Sequence, residues 1–456
     1  MAFADAPQRS QPAFHRLLSK IIDVKPNEAP ALVWAWLYIF SLLSSYYILR
    51  PIRDQMGVAS GVNNLQWLFT GTLIGMLLLN LPFSYLVKTF PREKFIAISY
   101  RFFIANILLF AVALYLATPE QAIWVGRIFF IWTSVFNLFV VSIFWQMIVD
   151  VFTAEQGKRL FGFIAAGATL GAVAGSAFTV STVEHLAPGY LMMGSAIMIE
   201  IAVFCVRRLS ALSISLSERP QSEQDNETPI GGTLLAGFRD ALASSYLLNV
   251  SLFLLLYAIT STFLYFQQAS VVSQAFSSRA AQTQFFAAVD LGVNLLTLAI
   301  QLFLTGRILR WFGVGTTLSM LPAASVIGFG VVALVPSLTS IMAFQLIRRA
   351  GNFAIARPTR EILFTVLPRE DRYKAKSFID TAIYRTGDQI GAWSFALLSY
   401  LKLEATEISV VAAVTSAIWL ANSWWLGRRQ DDLARQGEEA AASAQNPQPG
   451  RPARTD

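Results

Sequence analysis

Two short charged patterns of the same form, Arg-Pro-x-Arg-acid, interrupt otherwise apolar stretches of the chain. One runs from Arg50 through Arg53 to Asp54, and the other runs from Arg357 through Arg360 to Glu361. A guanidinium is a planar, permanently charged fork that pairs with carboxylate or phosphate oxygens. Each motif could therefore bind an anion, or hold its arginines in an ion pair with the adjoining acid. A third alternative is that each arginine only extends from a helix end to the membrane interface.

The composition indicates a lipid environment. The chain has 456 residues, of which 55% are hydrophobic and 14% charged, with a mean hydropathy of +0.52. A soluble protein carries roughly 25% charged residues. The net charge of +7 lies mainly in short loops between apolar runs, which is typical of membrane orientation, so we expect no nucleic-acid partner. One cysteine and two loop histidines give no basis for a disulfide, a metal site or a cofactor.

Apolar runs of about 20 residues, long enough to cross a bilayer, predict an all-α membrane protein with about twelve transmembrane helices. The predicted spans are 30–52, 64–87, 95–117, 122–150, 160–182, 189–208, 245–270, 284–306, 313–335, 338–366, 377–401 and 407–426. Basic residues are concentrated in alternate loops, which predicts a multi-pass protein of the bacterial inner membrane with both termini cytoplasmic.

The order of polar and apolar stretches predicts two six-helix halves. We expect a cytoplasmic amphipathic N-terminus (1–29), an N-terminal half (30–208), a cytoplasmic linker (209–244), a C-terminal half (245–426) and a disordered tail (427–456). This plan is similar to that of major facilitator transporters. In it the two arginine motifs would lie at the ends of spans one and ten and guard opposite mouths of the transport path.

Further charges are predicted within the spans, where they are costly and usually functional. Arginine outnumbers acid on spans one, four and ten, which favours an anionic solute. The candidate substrate or gate residues are Arg50, Arg53, Asp54, Arg127, Arg349, Arg357, Arg360 and Glu361, with Arg348 and Glu200 as further buried charges. The candidates for proton coupling or charge pairing are Asp290, Asp380, Arg385 and Asp388. Alternatively, Arg53 with Asp54, and Asp380 with Arg385, are pairs that only hold helices together.

Span five contains Gly167, Gly171 and Gly175 at four-residue spacing. Small residues at this spacing form a ridge that lets a neighbouring backbone approach closely. The pattern predicts helix packing and gives no information about the substrate.

Three sequence blocks resemble the nucleotide transporter family, the ATP/ADP antiporters of plastids and intracellular bacteria with their shorter bacterial relatives. They are residues 47–54 (Tyr-Ile-Leu-Arg-Pro-Ile-Arg-Asp), residues 144–146 (Phe-Trp-Gln) with 158–161 (Lys-Arg-Leu-Phe), and residues 357–361 with 374–376 (Lys-Ala-Lys) and Gly387. The resemblance implies a major facilitator fold and an exchanger of nucleotides.

The family typically has a lysine where Arg53 stands, which preserves the charge, but three other positions lose or reverse a charge of its pattern. Thr133 and Tyr265 stand where the family has acids, and Asp388 stands where it has a lysine. We therefore predict that ATP/ADP exchange is weak or absent and that another anion is carried.

The expected function is secondary transport of a small organic anion, with nucleotides and phosphorylated metabolites as candidates, by alternating access. The lipid bilayer and a proton or counter-substrate are the expected partners. A proton-coupled exporter or symporter of an unrelated solute is the alternative within transport, and a non-transporting membrane scaffold or sensor is the alternative outside it. The sequence has no phosphate-binding loop or catalytic constellation, so we expect no enzymatic activity.

Overall fold

The described part of the protein is entirely helical. The computed structural model describes residues 23–216, 244–367, 375–376 and 378–445. Its helices are α1 (Ala29–Ala59), α2 (Leu65–Thr89), α3 (Arg92–Leu116), α4 (Pro119–Val151), α5 (Ala154–Thr182), α6 (Pro188–Leu216), α7 (Ser245–Ala275), α8 (Arg279–Phe303), α9 (Thr305–Leu334), α10 (Leu338–Gly351), α11 (Arg357–Leu363), α12 (Tyr384–Tyr400) and α13 (Ala405–Gln445). Most of the predicted N-terminal segment (1–22), most of the linker (217–243) and residues 446–456 lie outside the described residues.

Ten of these helices are long and apolar enough to cross a membrane. The predicted spans ten and eleven are not among them, because each is interrupted. A π-helical segment, Asn352–Ala356, joins α10 to α11, and a second, Ile379–Ile383, precedes α12. With these two segments the protein has about twelve membrane helices, so the predicted fold class is confirmed.

The helix ends follow local sequence rules. Thr118 and Thr153 each cap a helix by accepting a hydrogen bond from the backbone N–H of a glutamine three residues later, and that glutamine side chain bonds back to the threonine N–H. This reciprocal capping satisfies two backbone donors that would otherwise lack partners. It fixes the start of α4 and α5, and it allows the short connection between them.

The last helix is longer than predicted. Helix α13 continues to Gln445, so the prediction of a disordered tail from residue 427 was wrong as far as residue 445. The physical reason is its composition: residues 427–445 are rich in Ala, Glu, Gln and Arg, which are strong helix formers even where the apolar pattern has ended.

The chain forms two compact units. The first comprises the chain before the linker, with Ala269–Leu295. In it α1 packs against α4, α5 and α6, and α3 packs against α6. The second comprises the rest of the chain after the linker, and in it α9 packs against both α10 and α13.

Glycines set the helix spacing in the first unit. A Cβ atom on Gly171 or Gly175 would collide with the backbone carbonyl of Phe40 or Ser44 on α1. The Ser44 hydroxyl donates to the Gly171 carbonyl at 3.1 Å. Gly167 also lies against α1, because a Cβ atom placed on it would be 3.0 Å from the backbone carbonyl oxygen of Trp36. The ridge on α5 therefore lies directly on the helix that carries the first arginine motif.

Candidate functional site

The first arginine motif lies inside a helix and not at its end. Helix α1 continues to Ala59, past Pro51 and Asp54. Proline lacks the N–H that a helix residue donates to the carbonyl four residues earlier, yet membrane helices tolerate this where neighbouring helices supply other partners. The expected position at the end of span one was therefore wrong by one to two turns, because Pro51 does not terminate the helix.

Arg50 is paired with buried acids from two helices. Its Nη1 lies 3.3 Å from Oδ1 of Asp290 on α8, and its Nε lies 3.9 Å from Oδ2 of Asp54. The Arg50 side chain is 18% exposed, against 2% for Asp290 and 5% for Asp54. Simple extension to the membrane interface does not account for this arginine, because its charge faces two buried carboxylates.

Arg53 completes the network. Its Nε and Nη2 donate to Oδ1 of Asp54 at 2.9 and 2.6 Å, and its Nη1 donates to the Ser134 hydroxyl of α4 at 3.4 Å. The guanidinium also lies 5.0 Å from the centre of the Phe130 ring. The charges of two arginines and two aspartates thus balance one another around α1, α4 and α8.

The second motif is built around the two π-helical segments. Arg360 lies one turn after the first segment, and its Nη2 is 3.0 Å from Oδ1 of Asp380, which is part of the second. Glu361 pairs with Lys376, whereas Arg357 is exposed. The pairing of Asp380 with Arg385 considered from the sequence was wrong.

Arg385 pairs with a different aspartate. Its Nη1 lies 3.2 Å from Oδ2 of Asp388, three residues further along α12. Residues three apart lie on one face of an α-helix, while the π-helical segment changes the angular position of Asp380 and directs it to the other motif. The sequence cannot reveal this, because a local change of helix type leaves the residue spacing unaltered.

Widening of a helix to π geometry displaces backbone carbonyls from their usual partners. In this protein, side chains of α8 and α9 donate hydrogen bonds to two carbonyls of the first π-helical segment. The Thr305 hydroxyl donates to the carbonyl of Ala354 at 2.8 Å, and the Gln301 amide donates to that of Phe353 at 3.4 Å. Both carbonyls belong to the π-helical segment directly before Arg357, so these contacts stabilise the irregular backbone that positions the second motif.

Arg348 is the most deeply buried arginine of the described chain, with 1% exposure. Its Nε donates to the Ser325 hydroxyl at 3.2 Å, and its Nη2 donates to the Tyr257 carbonyl at 3.1 Å and to the Thr260 hydroxyl at 2.7 Å. All three groups are neutral. The sequence indicated a buried charge here but favoured the neighbouring Arg349, which is only half-buried.

Arg127 also has neutral contacts. Its Nη2 donates to the carbonyl of Ser60 at 3.4 Å, and the guanidinium lies 4.5 Å from the centre of the Trp124 ring. By contrast, the predicted buried charge Glu200 is half-exposed and pairs with Arg101. That prediction was wrong because hydropathy places a residue within a span but not on a face of the helix.

The positions that depart from the nucleotide exchanger pattern have local partners. Thr133 is fully buried, and its hydroxyl donates to the carbonyl of Phe129 in its own helix at 2.8 Å. Asp388 is paired with Arg385, and α12 approaches α7 closely through Gly387, where a Cβ would come within 3.0 Å of the Leu255 carbonyl. A threonine and a paired aspartate cannot reproduce the charges of that family at these points.

A separate cluster anchors the start of α1. The buried carboxylate of Glu28 accepts from the Lys25 backbone N–H at 3.0 Å, from Gln156 at 3.0 Å and from Arg159 at 3.1 Å. Burial raises the pKa of this carboxyl, but these hydrogen bonds and the Arg159 charge outweigh it and hold the pKa below its ordinary value. Glu28 thereby ties α1 to the start of α5.

Comparison with known proteins gives a consistent assignment. The family model of the Major Facilitator Superfamily matches residues 31–383. The "ADP,ATP carrier protein 2" of Chlamydia pneumoniae is 20% identical over 91% of this chain and 91% of its own length.

Solved structures are similar in fold. A POT family transporter in complex with 5-aminolevulinic acid has a TM-score of 0.59 at 10% identity, covering 88% of this chain and 96% of its own. A D-xylose-proton symporter has a TM-score of 0.55 at 12% identity, covering 86% and 96%. Because the family model matches residues 31–383, which are most of the chain, the chain belongs to the Major Facilitator Superfamily and is a multi-pass secondary transporter, not an enzyme.

Proposed function

We propose that this transporter carries a small organic anion by alternating access. The observation that carries the proposal is the uneven pairing of the arginines in its helical units. Arg50, Arg53, Arg360 and Arg385 each face an aspartate. The contacts of Arg127 and Arg348 in the described chain are with hydroxyls, carbonyls and aromatic rings. A buried guanidinium without a counter-charge attracts an anion.

The paired arginines have a different role in this proposal. The Arg50 network in the first unit and the Arg360–Asp380 pair in the second are gate contacts, which break and re-form as the transporter changes state. Each pair is electrically balanced, so its opening exposes one positive and one negative group. A mixed surface of this kind admits hydrated ions without holding an anion tightly.

The substrate class follows from the same chemistry and from one relative. The distant similarity to an ADP,ATP carrier protein supports a phosphorylated solute, with nucleotides among the candidates, and the guanidinium chemistry also fits a carboxylate. Thr133, Tyr265 and Asp388 alter the charges that the nucleotide exchangers use, so ATP/ADP exchange is weak or absent in the proposal. The bacterial inner membrane, with both termini cytoplasmic, is the proposed location, on the basis of the loop charges.

Proteoliposomes test the proposal directly. Vesicles containing the purified protein and preloaded with phosphate, glucose 6-phosphate or succinate are offered the same compound in labelled form, and vesicles preloaded with ADP are offered labelled ATP. We expect saturable exchange of at least one anion other than ATP, lost in protein-free vesicles. Uptake of neutral solutes alone would refute anion transport, and saturable ATP/ADP exchange at micromolar ATP would refute the predicted loss of nucleotide exchange.

Proton-coupled transport of an unrelated solute is the second candidate. It is favoured by Asp290, a buried carboxylate on α8 that faces Arg50 on α1. Proton binding to such a group would release its arginine partner. In this case an imposed pH gradient would drive solute accumulation in the vesicles, and the Asp290→Asn variant would lose that dependence while retaining exchange.

A further inference from the structure

Arg348 occupies a site whose polar chemistry is incomplete. Its guanidinium bonds to Ser325 on α9 and to Tyr257 and Thr260 on α7 through Nε and Nη2. No contact recorded within the described residues uses its second terminal nitrogen, Nη1. A neutral glutamine could make similar hydrogen bonds to hydroxyls and carbonyls without the free-energy cost of burying a charge. The positive charge therefore has a use beyond packing.

Aromatic rings surround the charge. The guanidinium carbon lies 5.0 Å from the centre of the Tyr257 ring and 5.9 Å from that of Trp419 on α13. The Tyr384 ring of α12 lies 6.3 Å from the Tyr257 ring. Rings at these distances attract a cation, but they supply no negative charge. They form a rigid wall on which the planar guanidinium is held in one orientation.

A second donor at the same place also lacks an acceptor. Trp419 is fully buried, and its indole N–H finds no hydrogen-bond partner in the described structure. A buried indole N–H is normally hydrogen-bonded. Trp419 and Arg348 thus leave a positive charge and unsatisfied donors next to each other. The complement of such a group is an oxyanion, which is negatively charged and only accepts hydrogen bonds.

We propose that Arg348, with Trp419, binds the carboxylate or phosphate group of the transported solute. This inference rests on the proposed anion transport and identifies the residues in the second unit that take the charged group. The two N–H donors of Nη1 and the positive charge suit an oxygen of a carboxylate or a phosphate, whereas a neutral solute would leave the buried charge uncompensated. Tyr257 and Tyr384, both half-buried, flank the site and are available to contact the remainder of the solute.

Anion-dependent thermal stability of the purified full-length protein tests the site. Melting temperatures are measured at constant ionic strength across titrations of ATP, inorganic phosphate and succinate. A ligand that binds the folded state raises the melting temperature with its concentration. We expect at least one of these anions to do so in the natural protein, and the Arg348→Lys variant to need about ten- to hundredfold more of it. Arg310→Gln, which removes an exposed arginine of α9, is the matched control and should titrate as the natural protein does.

A Trp419→Phe variant provides an independent arm. It keeps the aromatic wall but removes the indole donor, so several-fold weaker binding of the same anion is expected even if variants of Arg348 fold poorly. If Arg348→Lys and Trp419→Phe lower the basal melting temperature but leave the half-saturating anion concentration unchanged, both residues are structural and the inference is wrong. If no anion stabilises or is exchanged by the natural protein, the proposed anion transport itself fails.

Discussion

The Arg50–Asp290 contact offers the sharpest test of the ion-pair network in the first unit. Its two charged atoms are 3.3 Å apart, and Asp290 is almost fully buried. Replacing Arg50 with Gln removes the guanidinium that faces this carboxylate, and breaking a buried pair in this way costs about 3–5 kcal/mol. Replacing Asp290 with Asn is milder, at about 2 kcal/mol, because Arg50 keeps Asp54 at 3.9 Å. The two changes are therefore predicted to be unequal.

The double variant separates the pair from its surroundings. The double variant, Arg50→Gln with Asp290→Asn, removes both charges together. The double variant should therefore lose less stability than the sum of the two single losses, by about 1–3 kcal/mol. Apparent free energies of unfolding from denaturant titration in mixed micelles measure all four proteins. Arg92 and Asp150 provide the matched control, because their ion pair of 3.0 Å is about one-third to one-half exposed.

An exposed pair of that kind couples by about 1 kcal/mol or less. The reasoning predicts a clear difference between the two cycles, with the stronger coupling at the buried pair. A coupling between Arg50 and Asp290 below about 0.5 kcal/mol, or equal losses from the two single variants, would refute the view that this contact is a buried ion pair on which α1 and α8 depend.

Three further predictions concern packing, pH and topology. Gly171→Val should abolish folded protein in size-exclusion chromatography, since its side chain would meet a backbone carbonyl of α1, whereas Gly162→Ala, with open space around it, should be tolerated. Because the folded state holds the pKa of Glu28 below its ordinary 4.5, its stabilisation is complete above that value and disappears as the pH falls through the folded-state pKa. The melting temperatures of the natural protein and the Glu28→Gln variant should thus differ at pH 7 and converge in acid; a constant difference would contradict this. A cysteine replacing the exposed Ser277, but not one replacing Thr89, should react with an impermeant maleimide from the periplasm, and the reverse pattern would contradict the orientation.

Much of the architecture could be predicted from the sequence because membrane helices obey one-dimensional rules. Length and hydropathy indicated about twelve helices, and the ridge of Gly167, Gly171 and Gly175 indicated a close helix contact. These features depend on residue type and spacing within a single helix. The lengths of α13 and α1 were predicted less well, since helix propensity extends the first beyond its apolar part and Pro51 does not end the second.

The sequence did not predict which charged residues pair with one another. The sequence identified both arginine motifs and the aspartates at 290, 380 and 388, but it could not match Arg50 with Asp290, which is 240 positions away in the chain. It offered Asp380 with Arg385 as an alternative, whereas Asp380, in the π-helical segment, pairs with Arg360. Pairing across helices depends on helix rotation and local helix type, and neither is encoded in residue spacing alone.

Arg348 shows most clearly what the sequence determines and what only the tertiary structure determines. The sequence determines that a permanent charge lies in an apolar helix, and the energetic cost of such a charge marks it as significant whatever the fold. Only the tertiary structure determines that Ser325, Thr260 and the Tyr257 carbonyl surround it while the acids pair elsewhere. The reason is physical: the electrostatic free energy of a buried charge depends on what lies within a few ångströms in three dimensions, and those neighbours come from helices α7 and α9, between 23 and 91 positions away in the chain.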